Sequence, residues 1–220
     1  MHLKTKTIKS PAWYVGTRVW IQALSWGVTV VLARILAPSD YGLFAMAFTV
    51  ITFIELFQEF GLGVSIVQRR NLSKGQINAI FWLLCGVSFV ILAVTFISAG
   101  LVAGFYQEPR LTWIIRFLSL TFLFNSLGVV PYSLLTKEID FKHRSLAEAS
   151  GVVVSAGTSL AMGNQGYGIW ALVVGQLVSA GVRNLAMFIS SRWLPTLEVS
   201  FAEMGEILKF SLHMAGASAM

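Results

Sequence analysis

The sequence predicts an all-α integral membrane protein: six transmembrane helices forming one lobe, plus the start of a seventh. Three observations predict it. Of 220 residues, 56% are hydrophobic and only 12% charged, and the mean hydropathy is +0.74, whereas about a quarter of a soluble domain is charged. The apolar residues gather in runs near the length of about 20 residues that a helix needs to cross roughly 30 Å of hydrocarbon. The connections between those runs alternate between basic and almost uncharged, as in a chain that crosses a membrane repeatedly.

The first span runs from Trp13 to Ile35 behind Lys4, Lys6 and Lys9. It exceeds the h-region of a secretory signal, about 7–15 residues, and lacks a small-x-small cleavage site, so it stays as a helix. The next five spans fall at Tyr41 to Phe60, Ile77 to Phe105, Leu111 to Leu135, Leu146 to Gly163 and Ile169 to Ser190. A further apolar run begins at Phe210 and stops at Met220, short of a full crossing, so the sequence reads as truncated inside a membrane helix. Between the second and third spans, Gly61 to Gln76 mixes Val64, Ile66 and Val67 with Arg69 and Arg70, as a segment lying on headgroups would. Ser200 and Glu203 form a Ser-x-x-Glu capping box that starts a short helix leading into the unfinished span. The chain therefore divides into a six-helix lobe, 1–190, and a segment 191–220 holding a linker, a short amphipathic helix and the start of a seventh helix.

Orientation follows from Lys and Arg. They concentrate in the amino-terminal segment, in the connection with Arg69, Arg70 and Lys74, in that with Lys137, Lys142 and Arg144, and after the sixth span. Those regions are expected in the cytoplasm with the amino terminus. Ala37 to Asp40, Tyr106 to Arg110 and Asn164 to Gly168 are expected outside. The net charge of +6 is then mainly a topology signal.

Several function classes are excluded. The basic residues form no polar, basic face for nucleic acid. One cysteine, Cys85, allows neither a disulfide framework nor a metal or redox CxxC motif. Asp40 and Asp140 fall on opposite sides of the membrane, and His2, His143 and His213 lie in different segments. No paired carboxylates or His-based nucleophile emerges, so the reading is of a non-enzyme with no cofactor and no metal.

Polar residues inside the spans carry the functional information, because a charge at mid-membrane costs about 2.5–3.5 kcal/mol on insertion scales. Glu55 therefore needs a partner or a purpose. Arg18 reaches a similar depth on the first span, and two readings stand: a structural Arg18–Glu55 pair tying two helices together, or Arg18 facing a hydrated cavity while Glu55 or Glu59 takes up a coupling proton. Gln22, Ser25 and Thr29 continue the Arg18 face at helical spacing. Arg116, Ser119, Ser126 and Ser133 share a face of the fourth span; Gln176, Ser179, Arg183 and Ser190 share one on the sixth. Small polar stripes also serve helix packing. Three stripes each carrying an arginine point instead to a polar, cationic cavity for a negatively charged headgroup, with Arg18, Gln22, Arg116 and Arg183 as its candidate lining.

The order of local motifs resembles a known family. Leu32-Ala33-Arg34-Ile35-Leu36-Ala37-Pro38-Ser39-Asp40-Tyr41-Gly42-Leu43-Phe44 is similar to the first external turn of bacterial oligosaccharide flippases, the polysaccharide-transporter branch of the multidrug/oligosaccharidyl-lipid/polysaccharide exporter superfamily. The resemblance continues through Phe60-Gly61-Leu62-Gly63, Val67-Gln68-Arg69-Arg70, Phe105-Tyr106 with Pro109, Lys137-Glu138-Ile139-Asp140-Phe141-Lys142 and Gly166-Tyr167-Gly168-Ile169-Trp170-Ala171-Leu172-Val173. Within the family the chain looks closest to colanic-acid and teichuronic-acid type translocases. The resemblance implies one lobe of an exporter fold in the bacterial inner membrane. It also implies translocation of undecaprenyl-diphosphate-linked oligosaccharide repeat units to the outer leaflet by alternating access, for exopolysaccharide, capsule or O-antigen synthesis. Implied partners are the lipid-linked oligosaccharide, membrane lipids, a second lobe or second copy, and polysaccharide polymerase and chain-length machinery. Family members are about twice this length, which matches the expectation of an amino-terminal half. The alternatives are a drug or cation antiporter of the same superfamily, with Glu55 or Glu59 as its coupling site, and a non-transporting membrane fragment.

Overall fold

A computed structural model of the chain describes residues 2–56, 58, 62–68, 72–198, 200 and 205, with the side chains of 2–15, 62, 64 and 68 outside that description. Among the described residues every regular element is a helix: α1 (His2–Ile35), α2 (Pro38–Glu55), α3 (Leu62–Gln68), α4 (Lys74–Phe105), α5 (Leu111–Lys137), α6 (Phe141–Asn164) and α7 (Trp170–Ser191). By length and composition α4, α5 and α7 can cross a membrane, their most apolar stretches having mean hydropathies of 2.6, 1.6 and 1.5. Helices α1, α2 and α6, at 34, 18 and 24 residues, overlap the other three expected spans, but among the described residues three helices, not six, have the length and composition of a membrane span. The expected capping box at Glu203 and the run from Phe210 to Met220 lie outside the described residues.

Local chemistry sets the helix ends. Pro38 enters the first turn of α2 behind an extended Ala37, with Asp40 in the same turn; there its missing N–H costs nothing and the carboxylate meets the positive end of the helix dipole. Ser73 and Gln76 close a capping box at the start of α4, Ser73 Oγ accepting from the Gln76 N–H at 3.2 Å and Gln76 Oε1 from the Ser73 N–H at 2.9 Å. Asp140 caps α6 by accepting from the His143 N–H at 3.2 Å. This cap starts α6 at Phe141, ahead of the apolar run read from Leu146, and so brings Arg144 into the helix one turn before Glu148. The turn from α6 to α7 uses Gly166 and Gly168, with φ of +81° and +54°, a backbone region open to glycine at little cost.

Helix α5 is the hub, packed against α2, α3, α4, α6 and α7, while α1 lies mainly along α6. One core joins Leu43, Ala47 and Ile51 of α2 to Ala99 and Ala103 of α4 and to Ile114, Ile115, Leu118 and Phe122 of α5. A second joins Ile66 of α3 to Ile80, Phe81 and Leu84 of α4 and Val130 of α5. The structure thus departs from a purely interfacial segment between the second and third spans: Ser65 and Ile66 are fully buried, and Gly63 lies against Val129 and Ser133. Its apolar residues find a better partner in the α5 surface than in headgroups. Elsewhere the outer surface is strongly apolar, with Ile97, Leu101 and Phe105 of α4 at 78%, 80% and 84% exposure, as lipid contact requires.

After α7 the chain turns back at Arg192, which has a left-handed φ of 51°, and residues 193–198 and 200 lie along the start of α4. Trp193 packs edge-on to Phe81 and stacks on Phe188. The Asn78 amide nitrogen donates to Glu198 O at 3.1 Å, Trp82 Nε1 to Thr196 O at 3.0 Å and the Ser200 N–H to Gly75 O at 3.1 Å. The segment expected as a free linker is therefore tied to the lobe as far as it is described.

Helices α6 and α7 meet most closely at glycines. A Cβ on Gly151 would stand 2.8 Å from the Ser179 carbonyl oxygen and 3.0 Å from Arg183 Cβ, and backbone cannot swing aside as a flexible side chain can. Gly157, on the same helix, faces open space. Gly151→Leu is expected to destabilise the lobe by about 1–3 kcal/mol through overpacking, read as a lower melting temperature in detergent, whereas Gly157→Ala leaves it nearly unchanged.

Candidate functional site

A cavity of about 800 Å³ opens among the described residues. Arg18 and Gln22 reach it from α1, Asn125, Tyr132, Ser133 and Thr136 from α5, Glu148 from α6 and Ser179, Arg183 and Asn184 from α7, with Gly63 and Val67 of α3 closing one side. These are the first half of α1, the second half of α5, the beginning of α6 and the second half of α7. In antiparallel helices those stretches share one end of the lobe, the end carrying the basic connections. Two features of α5 leave room for it. Gly128 presents no side chain where Asn184 packs across, and Pro131 interrupts the helix ladder by lacking an N–H.

Two polar networks border the cavity. In the first, Arg183 Nη2 donates to Asn125 Oδ1 at 2.8 Å, and Asn125 Nδ2 donates to Glu55 Oε1 at 2.9 Å. One amide thus relays between a guanidinium and a carboxylate on helices that do not adjoin, using its acceptor for one and its donor for the other. Behind it lies a second pocket of about 80 Å³ lined by Glu55, Gln58, Asn125 and Ser126. Buried Gln58 donates from Nε2 to Ser88 Oγ at 2.7 Å and also to the Phe122 carbonyl.

The second network lies at the start of α6. Arg144 Nε donates to Glu148 Oε1 at 3.2 Å, one helical turn on, and the Arg144 guanidinium carbon stands 4.1 Å from the centre of the Tyr132 ring. Glu148 Oε2 faces Arg18 Nε at 4.0 Å. The Arg144 side chain is 10% exposed and that of Arg18 58%. Glu148 therefore bridges a nearly buried arginine and a largely exposed one, and the exposed one borders the cavity.

The expected candidates separate. Arg18, Gln22 and Arg183 come together in the cavity. Of the two acids, Glu55 borders the small pocket, with Asn125 as its recorded partner, and Arg18 has Glu148 as its recorded ion-pair partner; Glu59 lies outside the described residues. Arg116 does not line the cavity. Its Nε donates to the Phe96 carbonyl at 3.2 Å, and its guanidinium carbon lies 4.9 Å from the Phe96 ring and 5.0 Å from the Trp113 ring. The stripe of serines that seemed to link Arg116 to the interior is instead satisfied within α5: Ser119 donates to Arg116 O at 2.7 Å and Ser126 to Leu123 O at 2.8 Å.

Sequence reasoning missed Asn125, Arg144 and Glu148. The i, i+4 spacing of Arg144 and Glu148 was a usable signal for a helical pair, hidden because both stand next to the basic connection. Asn125 stands in the sequence as a lone amide in an apolar run, a position that in a membrane asks for a partner. Among the described residues no group of three or more His, Cys, Asp or Glu converges as a metal site would.

A family model described as "Polysaccharide biosynthesis protein" matches residues 31–220. The chain is 27% identical over 221 residues to the succinoglycan biosynthesis transport protein ExoT of Rhizobium meliloti (strain 1021), covering 99% of this chain and 44% of that protein. It is 27% identical over 224 residues to the lipopolysaccharide biosynthesis protein WzxC of Escherichia coli (strain K12), covering 99% and 45%. Over 161 residues it is 25% identical to the teichuronic acid biosynthesis protein TuaB of Bacillus subtilis (strain 168), covering 72% and 33%. The chain thus spans just under half the length of the first two relatives. No solved structure gives a significant match. Helices apolar enough to span a bilayer, wide apolar outer faces and a match over most of its length place the chain, a multi-pass membrane protein, in the polysaccharide biosynthesis protein family.

Proposed function

We propose that this chain forms the amino-terminal lobe of a transporter that moves undecaprenyl-diphosphate-linked oligosaccharide repeat units from the cytoplasmic to the outer leaflet of the bacterial inner membrane. The observation that carries the proposal is the cavity of about 800 Å³ bordered by Arg18 and Arg183. A diphosphate needs strong donors in a site shielded from bulk water, and a guanidinium presents its N–H groups in a fork that fits phosphate oxygens. Gln22, Ser133, Thr136 and Ser179 add neutral donors and acceptors suited to sugar hydroxyls. The names of the relatives, from succinoglycan transport to lipopolysaccharide and teichuronic acid biosynthesis, support polysaccharide export as the setting.

In this reading all of α1, α2, α4, α5, α6 and α7 cross the bilayer, making a six-helix lobe over 1–190, and 191–220 leads to a second bundle. Alternating access needs two bundles that rock about a shared site, supplied by a longer chain or a second copy. Arg18, exposed at the cavity and 4.0 Å from Glu148, is the contact for an incoming phosphate. Arg183 is held in place by Asn125, and Glu55, at the other end of that relay, is the residue placed to couple ion uptake to the charge state of the cavity.

Two measurements test the proposal. In a strain lacking the locus, the longest reading frame that contains this sequence is expected to restore lectin access to lipid-linked oligosaccharide at the outer face. Arg18→Ala and Arg183→Ala are each expected to weaken translocation roughly tenfold or more, the scale of a lost charge-assisted hydrogen bond, with membrane insertion unchanged. Full export in both variants would refute the assignment. For topology, with Cys85 replaced by Ala, a membrane-impermeant maleimide added to intact cells is expected to label cysteines at Ser39 and Gln165 and to spare one at Lys142. The inverse pattern would reverse the orientation.

A further inference from the structure

Arg116 is a charge on the outside of the lobe. It shares its side of α5 with Trp113, Phe117 and Leu120, which are 56%, 42% and 37% exposed, and faces Phe96 of α4, 41% exposed. One N–H of its guanidinium is committed to the Phe96 carbonyl. Among the described residues no buried side-chain nitrogen or oxygen lacks a partner, so the donors that Phe96 leaves unbonded lie at the surface of the protein. That surface is largely apolar, made by Phe96, Trp113, Phe117 and Leu120, which face lipid if α4 and α5 span the membrane.

A cation with open donors in such a place cannot stay unmatched, because a bare charge next to hydrocarbon costs several kcal/mol or more. Arg116 stands in the second turn of α5, about 7–8 Å along the axis from Leu111 at roughly 1.5 Å per residue. This is shallow enough for a long side chain to meet the headgroup layer. The Phe96 and Trp113 rings hold the guanidinium, its carbon 4.9 Å and 5.0 Å from their centres, and with Nε bonded to the Phe96 carbonyl the two terminal nitrogens are left to offer a fork of N–H groups. Phosphate is the membrane anion whose oxygens fit that fork.

We propose that Arg116, Trp113 and Phe96 form a binding site for the phosphate of an anionic phospholipid, in the leaflet that meets the 106–110 turn. The guanidinium donates to the phosphate oxygens while the two aromatic rings pack against the glycerol and upper acyl carbons. The site lies apart from the cavity on the same lobe. It rests on α4 and α5 spanning the membrane and is independent of translocation, so loss of export in the cavity variants leaves it standing.

The test is a titration of the full chain, purified in detergent, with phosphatidylglycerol, followed by native mass spectrometry. The wild-type protein is expected to bind one phosphatidylglycerol more tightly than phosphatidylcholine, whose own cation competes for its phosphate. Arg116→Gln is expected to raise the Kd for phosphatidylglycerol about tenfold, and Arg116→Lys, which keeps the charge and loses the fork, to fall between. Melting temperatures in lipid-free detergent report whether each variant is folded. An unchanged Kd in folded Arg116→Gln would overturn the site; if that variant fails to fold, an unchanged Kd in Arg116→Lys would do so. Equal retention of the two lipids by the wild-type protein would overturn the anionic preference.

Discussion

Everything in this lobe depends on α5 having to serve two demands along one helix. Its first half meets α2 and α4 through Ile114, Ile115, Leu118 and Phe122, all essentially buried, and there dry apolar packing is sufficient. Its second half carries Asn125, Ser126, Gly128, Pro131, Tyr132 and Ser133, which no apolar neighbour can satisfy. In a bilayer a polar group without a partner inside the protein is left in hydrocarbon. The second half therefore gathers the polar side chains of α1, α2, α6 and α7 around itself, and the space left between them is the cavity.

The charges around that cavity are tied in two different ways. The relay from Arg183 through Asn125 to Glu55 holds a guanidinium in a defined position; a group fixed in advance loses less entropy on meeting an anion. Arg18 approaches Glu148 at 4.0 Å, on a side chain more than half exposed. An ion pair of that kind contributes little to stability. Three guanidiniums, of Arg18, Arg144 and Arg183, are set against the carboxylates of Glu55 and Glu148, which leaves the region cationic.

Close packing of α6 against α7 at Gly151 and Gly175 and the docking of 193–198 and 200 on α4 have a shared consequence. Both tie late elements of the chain to the rest of the lobe, so α4, α5, α6, α7 and the following segment can move as one piece. Rocking between bundles needs such pieces, because an interface that deformed internally would absorb the motion.

What the sequence determined by itself was the set of elements and the class of protein. Runs near twenty apolar residues give the spans, Pro38, Ser73 and Asp140 give three of the starts, and the alternation of basic connections gives an expected orientation; these signals are local and need no partner. The family was likewise legible from short motifs in order. Tertiary structure alone decided which polar residues meet. Arg18 and Glu55 match in depth along their helices, yet depth says nothing of rotation about the axis or of which helices adjoin, and the recorded partners are Glu148 and Asn125. By face and spacing Arg116 was indistinguishable from Arg183, because an amphipathic stripe marks a polar side of a helix without saying whether that side looks inward. In water a polar stripe faces solvent; in a membrane it can face a cavity, a neighbouring helix or the headgroup layer, and only the packing of α4 and α7 on either side of α5 separated the three.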